Sequence, residues 1–241
     1  MRVRAGTSGY AYNEWKGSFY PSNLKADGML RYYAERFSAV EINNSFYRTP
    51  TESTLVSWAE SVPDGFTFVL KASQRITHVR RLREVGSELG FFLQAASVLG
   101  DKLGPTLFQL PPNMKKDVAR LTEFLALIPR VWRAAFEFRH ASWFDEEVFD
   151  VLRSRDIALC VADTDEETTP FVATASWGYL RLRRVVYNDV EMAAWAERVL
   201  ARDWSEAFVF FKHEDEATGP ALAAQFMGLV SHAPKVSDEA V

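Results

Sequence analysis

What most constrains this chain is an end-to-end alternation of short apolar, strand-like runs with segments whose apolar residues recur at helical spacing. The strand-like runs are Val3–Ser8, Ala39–Asn43, Phe66–Ala72, Thr106–Leu110, Arg133–Phe138, Ile157–Asp163, Gly178–Arg183 and Ala207–Lys212. Between and after them, helical spacing predicts helices over Asp27–Phe37, Glu52–Ser61, Glu88–Leu99, Asp117–Ile128, Glu146–Ser154, Val190–Ala201 and Gly219–Val230. After the sixth strand, Thr164–Ser176 reads as irregular loop in place of much of a helix. Repeated β-then-α order demands a parallel sheet covered by helices. Eight repeats in 241 residues are the size of a closed (β/α)8 TIM barrel. The first turn, Gly6-Thr-Ser-Gly9, lacks the glycine spacing of a dinucleotide fingerprint, which argues against an open doubly wound sheet. No linker or low-complexity segment interrupts the pattern, so one domain over residues 1–241 is expected.

Barrel logic places active sites at the C-terminal ends of the strands. Read off in order, those ends carry Thr7 and Ser8; Glu41 and Asn43; Lys71; Gln109; Glu137, Arg139 and His140; Asp163 and Thr164; Arg181 and Arg183; Lys212 and His213. Polar groups at nearly every strand end favour a built pocket over a decorated rim. The run Trp132-Arg-Ala-Ala-Phe-Glu-Phe-Arg-His140 is the sharpest case. Alternation puts Ala135, Glu137 and Arg139 on one face, and a carboxylate and guanidinium there are costly to bury unless they pair or serve a site. Glu137 and Asp163 are expected on adjacent strands, roughly 5 Å apart at the backbone. Carboxylates that close drive their pKa values apart, with Arg139 holding one down, which is how a site keeps an acid and a base near neutral pH. Glu137, Asp163 and Arg139 are therefore the candidate catalytic set.

The cations Lys71, Arg139 and Arg181 point to a small substrate bearing a carboxylate or phosphate. Glu41, Asn43, Tyr47, His78, Gln109, His140, Trp143 and Trp15 complete the candidate substrate-binding set; the aromatics among them combine a ring face with a polar handle. His78, His140, His213, Glu41, Glu137 and Asp163 are donors a metal could use, but no His-x-His, His-Glu-x-x-His or cysteine pair is present. No cofactor is expected, and a divalent metal is the less favoured alternative. A net charge of −4 weighs against wholesale nucleic-acid or membrane attraction. Cys160 is the only cysteine and lies in an apolar run, reading as a small buried hydrophobe. No apolar stretch is long enough to span a bilayer, no signal-peptide pattern opens the chain, and a cytoplasmic location is expected. Nothing in the pattern specifies an oligomeric state.

Several motifs together are similar to one family. They are Gly6-Thr-Ser-Gly-Tyr10 with Trp15-Lys-Gly-Ser-Phe-Tyr-Pro21, Val40-Glu-Ile-Asn-Asn-Ser-Phe-Tyr-Arg48, Ile76-Thr-His78, Gln109-Leu-Pro-Pro112, Glu137-Phe-Arg-His140, Trp143-Phe144 and Asp163-Thr164. In this order they resemble domain-of-unknown-function family 72. The resemblance implies a TIM barrel of about this length, often likened to sugar-isomerase and apurinic-endonuclease barrels, and it names no reaction. The chain departs from the commonest family form at Arg181-Leu-Arg-Arg184 and at Phe208-Val-Phe-Phe-Lys-His-Glu-Asp215. Arg183, Lys212 and His213 would then mark a subgroup with its own substrate. The leading expectation is acid/base hydrolysis or isomerisation of a small anionic or polar substrate. Metal-assisted phosphodiester cleavage on nucleic acid and a non-catalytic metabolite-binding barrel are the alternatives.

Overall fold

The computed structural model describes residues 1–212 and 217–232. Eight parallel strands form the sheet: β1 (Arg2–Thr7), β2 (Ala39–Ile42), β3 (Thr67–Lys71), β4 (Leu103–Gln109), β5 (Ala134–Glu137), β6 (Ala158–Asp163), β7 (Gly178–Leu182) and β8 (Glu206–Phe211). The helices are α1 (Ala26–Ala34), α2 (Glu52–Glu60), α3 (Gly86–Ala96), α4 (Val118–Leu127), α5 (Glu146–Arg153), α6 (Asp189–Leu200) and α7 (Thr218–His232). β1 pairs with β8, and pairing runs on round to β2, giving the order β1-β8-β7-β6-β5-β4-β3-β2. A bridge between Ser8 and Glu41 brings β1 back to β2 and closes the barrel. The predicted (β/α)8 architecture is the one observed, including the absence of a helix between β6 and β7.

Local chemistry explains where the helices start. Thr51 accepts from the Thr54 amide, Asp117 from Arg120 and Asp145 from Glu147, and Asn188 with Glu191 forms a reciprocal capping box. Each cap satisfies amides that have no partner within the first turn. The sequence pattern did not reveal the short helical turns after the strands, at Asn13–Trp15, Asn44–Phe46, Arg75–Val79 and Ala141–Trp143. They fold the loops back over the strand ends.

Alternation sorts the strand residues into two cores. Outward side chains pack under the helices. Inward ones fill the barrel with an apolar plug that includes Ala39, Val69, Leu107, Ala135, Cys160, Tyr179 and Phe210. One strand step further along, at i+2, the same inward face turns polar: Glu41, Lys71, Gln109, Glu137 and Arg181 follow Ala39, Val69, Leu107, Ala135 and Tyr179. This charged layer rests on the plug and faces the C-terminal mouth. At the opposite rim, Arg4 bonds Glu206 at 2.6 Å and the Gly65 carbonyl at 2.6 Å, fastening the floor.

Two joints of the sheet are thin. At β1/β2, Gly6 comes so close to β2 that a Cβ would sit 2.0 Å from the Ala39 carbonyl oxygen. The Tyr33 hydroxyl of α1 enters this joint, accepting from the Thr7 amide at 2.8 Å and donating to the Ala39 carbonyl at 3.0 Å. The Gly9 amide then bonds the Glu41 carbonyl at 2.8 Å, with Gly9 at φ 101°, where a side chain would be strained. The Gly6-Thr-Ser-Gly9 turn thus serves barrel closure. At β5/β6, pairing stops after Ala135–Ala158 and Phe136–Leu159. β5 continues along β4 to Glu137 and β6 along β7 to Asp163, so the two strand ends part.

Candidate active site

Arg181 is the centre of the polar layer. Its Nη2 donates to Glu41 Oε1 at 2.8 Å and its Nη1 to Glu137 Oε2 at 2.6 Å, and all three side chains are buried. The fork spans the barrel from β2 to β5 through β7. Glu41 also accepts from Ser8 Oγ at 2.7 Å and Tyr179 Oη at 2.6 Å. Glu137 accepts from Gln109 Nε2 at 2.8 Å and Arg139 Nε at 2.9 Å. Burial pushes both carboxyls upward, yet Arg181 and these donors outweigh it and hold both below the usual carboxylate range.

Lys71 stands beside this triad. Its Nζ donates to Gln109 Oε1 at 2.9 Å and lies 4.1 Å from the centre of the Phe46 ring. Gln109 donates an amide hydrogen to Glu137, so its carbonyl oxygen is the atom turned toward Lys71. Burial, and then the positive charge of Arg181, lowers the Lys71 pKa from its ordinary 10.5 to about 8. His78, against the edge of Phe46, is lowered by burial and by the charges of Lys71 and Arg139. The π-type turn Arg75–Val79 carries His78, and Arg81, Leu82 and Glu84 just after it hold positive φ, a strained loop conformation for residues other than glycine.

Where β5 and β6 part, a cavity of about 860 Å³ opens. Glu137 and Arg139 line one side, Ala162 and the loop Thr164–Glu167 the other, and Arg183 and Lys212 enter from β7 and β8. Arg183 is the next inward residue after Arg181. Its side chain makes no hydrogen bond or ion pair among the described residues, and its Nε is buried without a partner. Burial and the neighbouring Arg181 lower its pKa. An unpaired, partly buried guanidinium beside Arg139 is the composition of an anion site. The far wall carries Asp165, Glu166 and Glu167, so the cavity is bipolar.

The structure gathers Glu41, Asn43, Lys71, Gln109, Glu137, Arg139 and Arg181 into one layer, with His78 at its edge. Asp163 is the main correction. The β5/β6 register places it three steps beyond the residue opposite Glu137, on the outward face. It accepts from Thr168 Oγ1 and from Tyr187 Oη, the latter at 2.8 Å, and does not meet Glu137. The expected splitting of a Glu137–Asp163 pair has no geometric basis. Trp15 and Trp143 are buried within the loop layer, Trp15 among Tyr12, Phe19 and Tyr20, and Trp143 stacked on Phe138 with its Nε1 donating to the Met114 carbonyl. His140 accepts from the Ser142 amide and caps the Ala141–Trp143 turn. Tyr47 is 71% exposed beside a separate cleft. His213 lies outside the described residues. Tyr179 and Ser8, both donors to Glu41, join the site from outside the candidate set; the inward row Trp177-x-Tyr179-x-Arg181-x-Arg183 is the available sequence signal for the first.

Fold and site together define a (β/α)8-barrel protein with a charged, ligand-sized pocket at the C-terminal mouth. The family described as "Protein of unknown function DUF72" matches residues 4–240, and the chain belongs to that family. It is similar to UPF0759 protein YunF of Bacillus subtilis (strain 168), with 30% identity over 218 residues, 83% of this chain and 75% of that protein. Its structure is similar to that of a DUF72 family protein from Thermotoga maritima MSB8, with a TM-score of 0.85 and 27% identity over 96% of this chain and all of that one. A DUF72 family protein from Enterococcus faecalis V583 has a TM-score of 0.82 and 19% identity over 97% of each chain. The beta-mannanase of the blue mussel Mytilus edulis shares the fold alone, at TM-score 0.52 and 11% identity over 97% of this chain and 92% of that one. Among the described residues no helix is long and apolar enough to cross a membrane. No three His, Cys, Asp or Glu side chains among them gather as metal donors.

Proposed function

We propose that this barrel is an acid–base enzyme for a small substrate that carries a carboxylate or phosphate. The observation that supports this reading is Arg183, whose guanidinium has no partner among the described residues and lines a cavity of about 860 Å³ with Arg139 and Lys212. A cavity of that size suits a metabolite rather than a polymer. The anionic end lies against the arginines, and the acidic wall at Asp165–Glu167 favours a hydroxyl- or amine-bearing body on the other side. Glu137 is a positioning residue here: its carboxylate orients Arg139, Arg181 and Gln109 and is held too acidic to pass protons near pH 7. Lys71, with a pKa of about 8, and His78 take the proton-transfer role. Hydrolysis and isomerisation both remain within this chemistry.

Calorimetric titration with inorganic phosphate and with malonate tests the substrate class. Wild type is expected to bind one equivalent, and Arg183→Gln to bind at least tenfold more weakly. Equal binding by both proteins, or none by wild type, would overturn it. Incubation with a panel of sugar phosphates and hydroxy acids, followed by NMR, tests catalysis. Product is expected with wild type and not with Lys71→Met; an anion-binding wild type inert toward the whole panel would make the barrel a binding protein.

A further inference from the structure

We propose that Lys71 is an imine-forming amine, which condenses with an aldehyde or ketone group of the anionic substrate. This deepens the reading above: it rests on it for the substrate's charge, and it gives Lys71 the covalent role and leaves proton transfer to His78. Two carboxylates occupy the same layer, and a lysine that only balanced their charge would pair with one of them. Both are instead engaged by arginines, Glu41 by Arg181 and Glu137 by Arg181 and Arg139. No carboxylate lies within ion-pair distance of Lys71 among the described residues; its hydrogen-bond acceptor is the neutral amide oxygen of Gln109. A buried amine without a counter-ion and beside like charge favours its neutral form, whose lone pair is the nucleophile.

Position adds to composition. Glu137 fixes the Gln109 amide, Gln109 holds one N–H of Lys71, and the Phe46 ring supports the amine from one face at 4.1 Å. The nitrogen is thereby aimed by a relay of two hydrogen bonds from the same Glu137 that orients Arg139 at the cavity wall. An anion held by Arg139 and Arg183 would present the rest of a small substrate to this layer.

The step balances without an oxidant or reductant. The Nζ lone pair adds to the carbonyl carbon, forming C–N, and the carbonyl oxygen takes up a proton to give a carbinolamine. The C–O bond then breaks and the oxygen leaves as water, having gained one proton from the nitrogen and one from solvent. Neutral amine, carbonyl and one proton thus become a protonated imine and water. That cation acidifies the C–H bond on the neighbouring carbon and accepts the electron pair when the next C–C bond breaks, which directs the proposed acid–base chemistry toward isomerisation or reverse-aldol cleavage. His78, near neutral pH an uncharged imidazole at the edge of Phe46, is placed to move the carbinolamine proton.

The test uses glyoxylate, an aldehyde next to a carboxylate, with cyanoborohydride at pH 8, read by intact mass and peptide mapping. One reduced adduct on Lys71 is expected, at least tenfold faster than on any surface lysine, slowed by inorganic phosphate and absent in Lys71→Arg. Adducts spread over surface lysines with Lys71 unmodified would overturn it. Trace acetylation across pH 6–11 is a second readout needing no variant: Lys71 is expected to gain reactivity around pH 8, and a midpoint with the surface lysines above 10 would also overturn it. If phosphate binds and depends on Arg183 while Lys71 stays unmodified, the anionic-substrate reading stands and the imine fails. If Lys71 is labelled but phosphate neither binds nor competes, the reverse holds.

Discussion

Between β1 and β2 the strands meet through a bridge at Ser8 and Glu41, and between β5 and β6 they pair only at Ala135–Ala158 and Phe136–Leu159. The first joint is sealed. Gly6 removes the side chain that would hold the strands apart, and the Tyr33 hydroxyl joins a β1 amide to a β2 carbonyl. The second is left open at its C-terminal end and becomes the wall of the cavity. A gap in a barrel leaves backbone groups without ladder partners, and a buried backbone group without a partner is costly. One gap is filled by a side chain from within the chain, while the other faces a solvent-accessible cavity. Arg181 relates the two, because its fork ties Glu41 beside the sealed joint to Glu137 beside the open one.

The largest effect expected from breaking this arrangement is at Arg181. Arg181→Met leaves Glu41 and Glu137 buried without their shared cation, a loss of roughly 3–5 kcal/mol of folding stability measurable by denaturant titration. Acid should act on the same groups. Both carboxyls have folded-state pKa values below their unfolded ones, so the stability they contribute is present above the unfolded value of about 4.3 and disappears as pH falls below it toward the folded values. Denaturation midpoints between pH 7 and pH 3 should fall more steeply for wild type than for Glu137→Gln. Tyr33→Phe removes the bridge at the sealed joint and leaves the Thr7 amide and Ala39 carbonyl without it, a loss of about 1–3 kcal/mol. Phosphate affinity should not change, because the cavity lies at the other joint. Arg183→Gln should do the reverse, altering stability by less than about 0.5 kcal/mol while weakening phosphate binding. If Tyr33→Phe weakens phosphate binding as much as Arg183→Gln does, the division between a sealed and an open joint fails.

Much of the site could be read locally. Glu41, Lys71, Gln109, Glu137 and Arg181 each stand two residues after an apolar inward position, and strand alternation alone assigns them to one layer. Asp163 shows where that reasoning stops. It ends its strand as Glu137 does, but it falls on the odd side of the Ala158-x-Cys160 inward row and turns outward to Thr168 and Tyr187. The phase was present in the sequence, whereas the register that parts β5 from β6 was not. Trp15 and Trp143 look like pocket walls in a list of loop aromatics, yet short helical turns fold both under their loops.

By itself, the sequence determined the order of strands and helices, the closed parallel barrel they imply, and which inward positions change from apolar to polar. These follow from periodicities of two and 3.6 residues, which act within a few residues of chain. The tertiary structure decided which carboxylates pair with which arginine, why Lys71 is left with a neutral amide, and where the barrel is sealed or open. Those outcomes depend on inter-strand register and on contacts such as Arg181–Glu41, 140 positions apart, and Tyr33 between β1 and β2. No local pattern encodes them, because they exist only once eight strands have closed on one another.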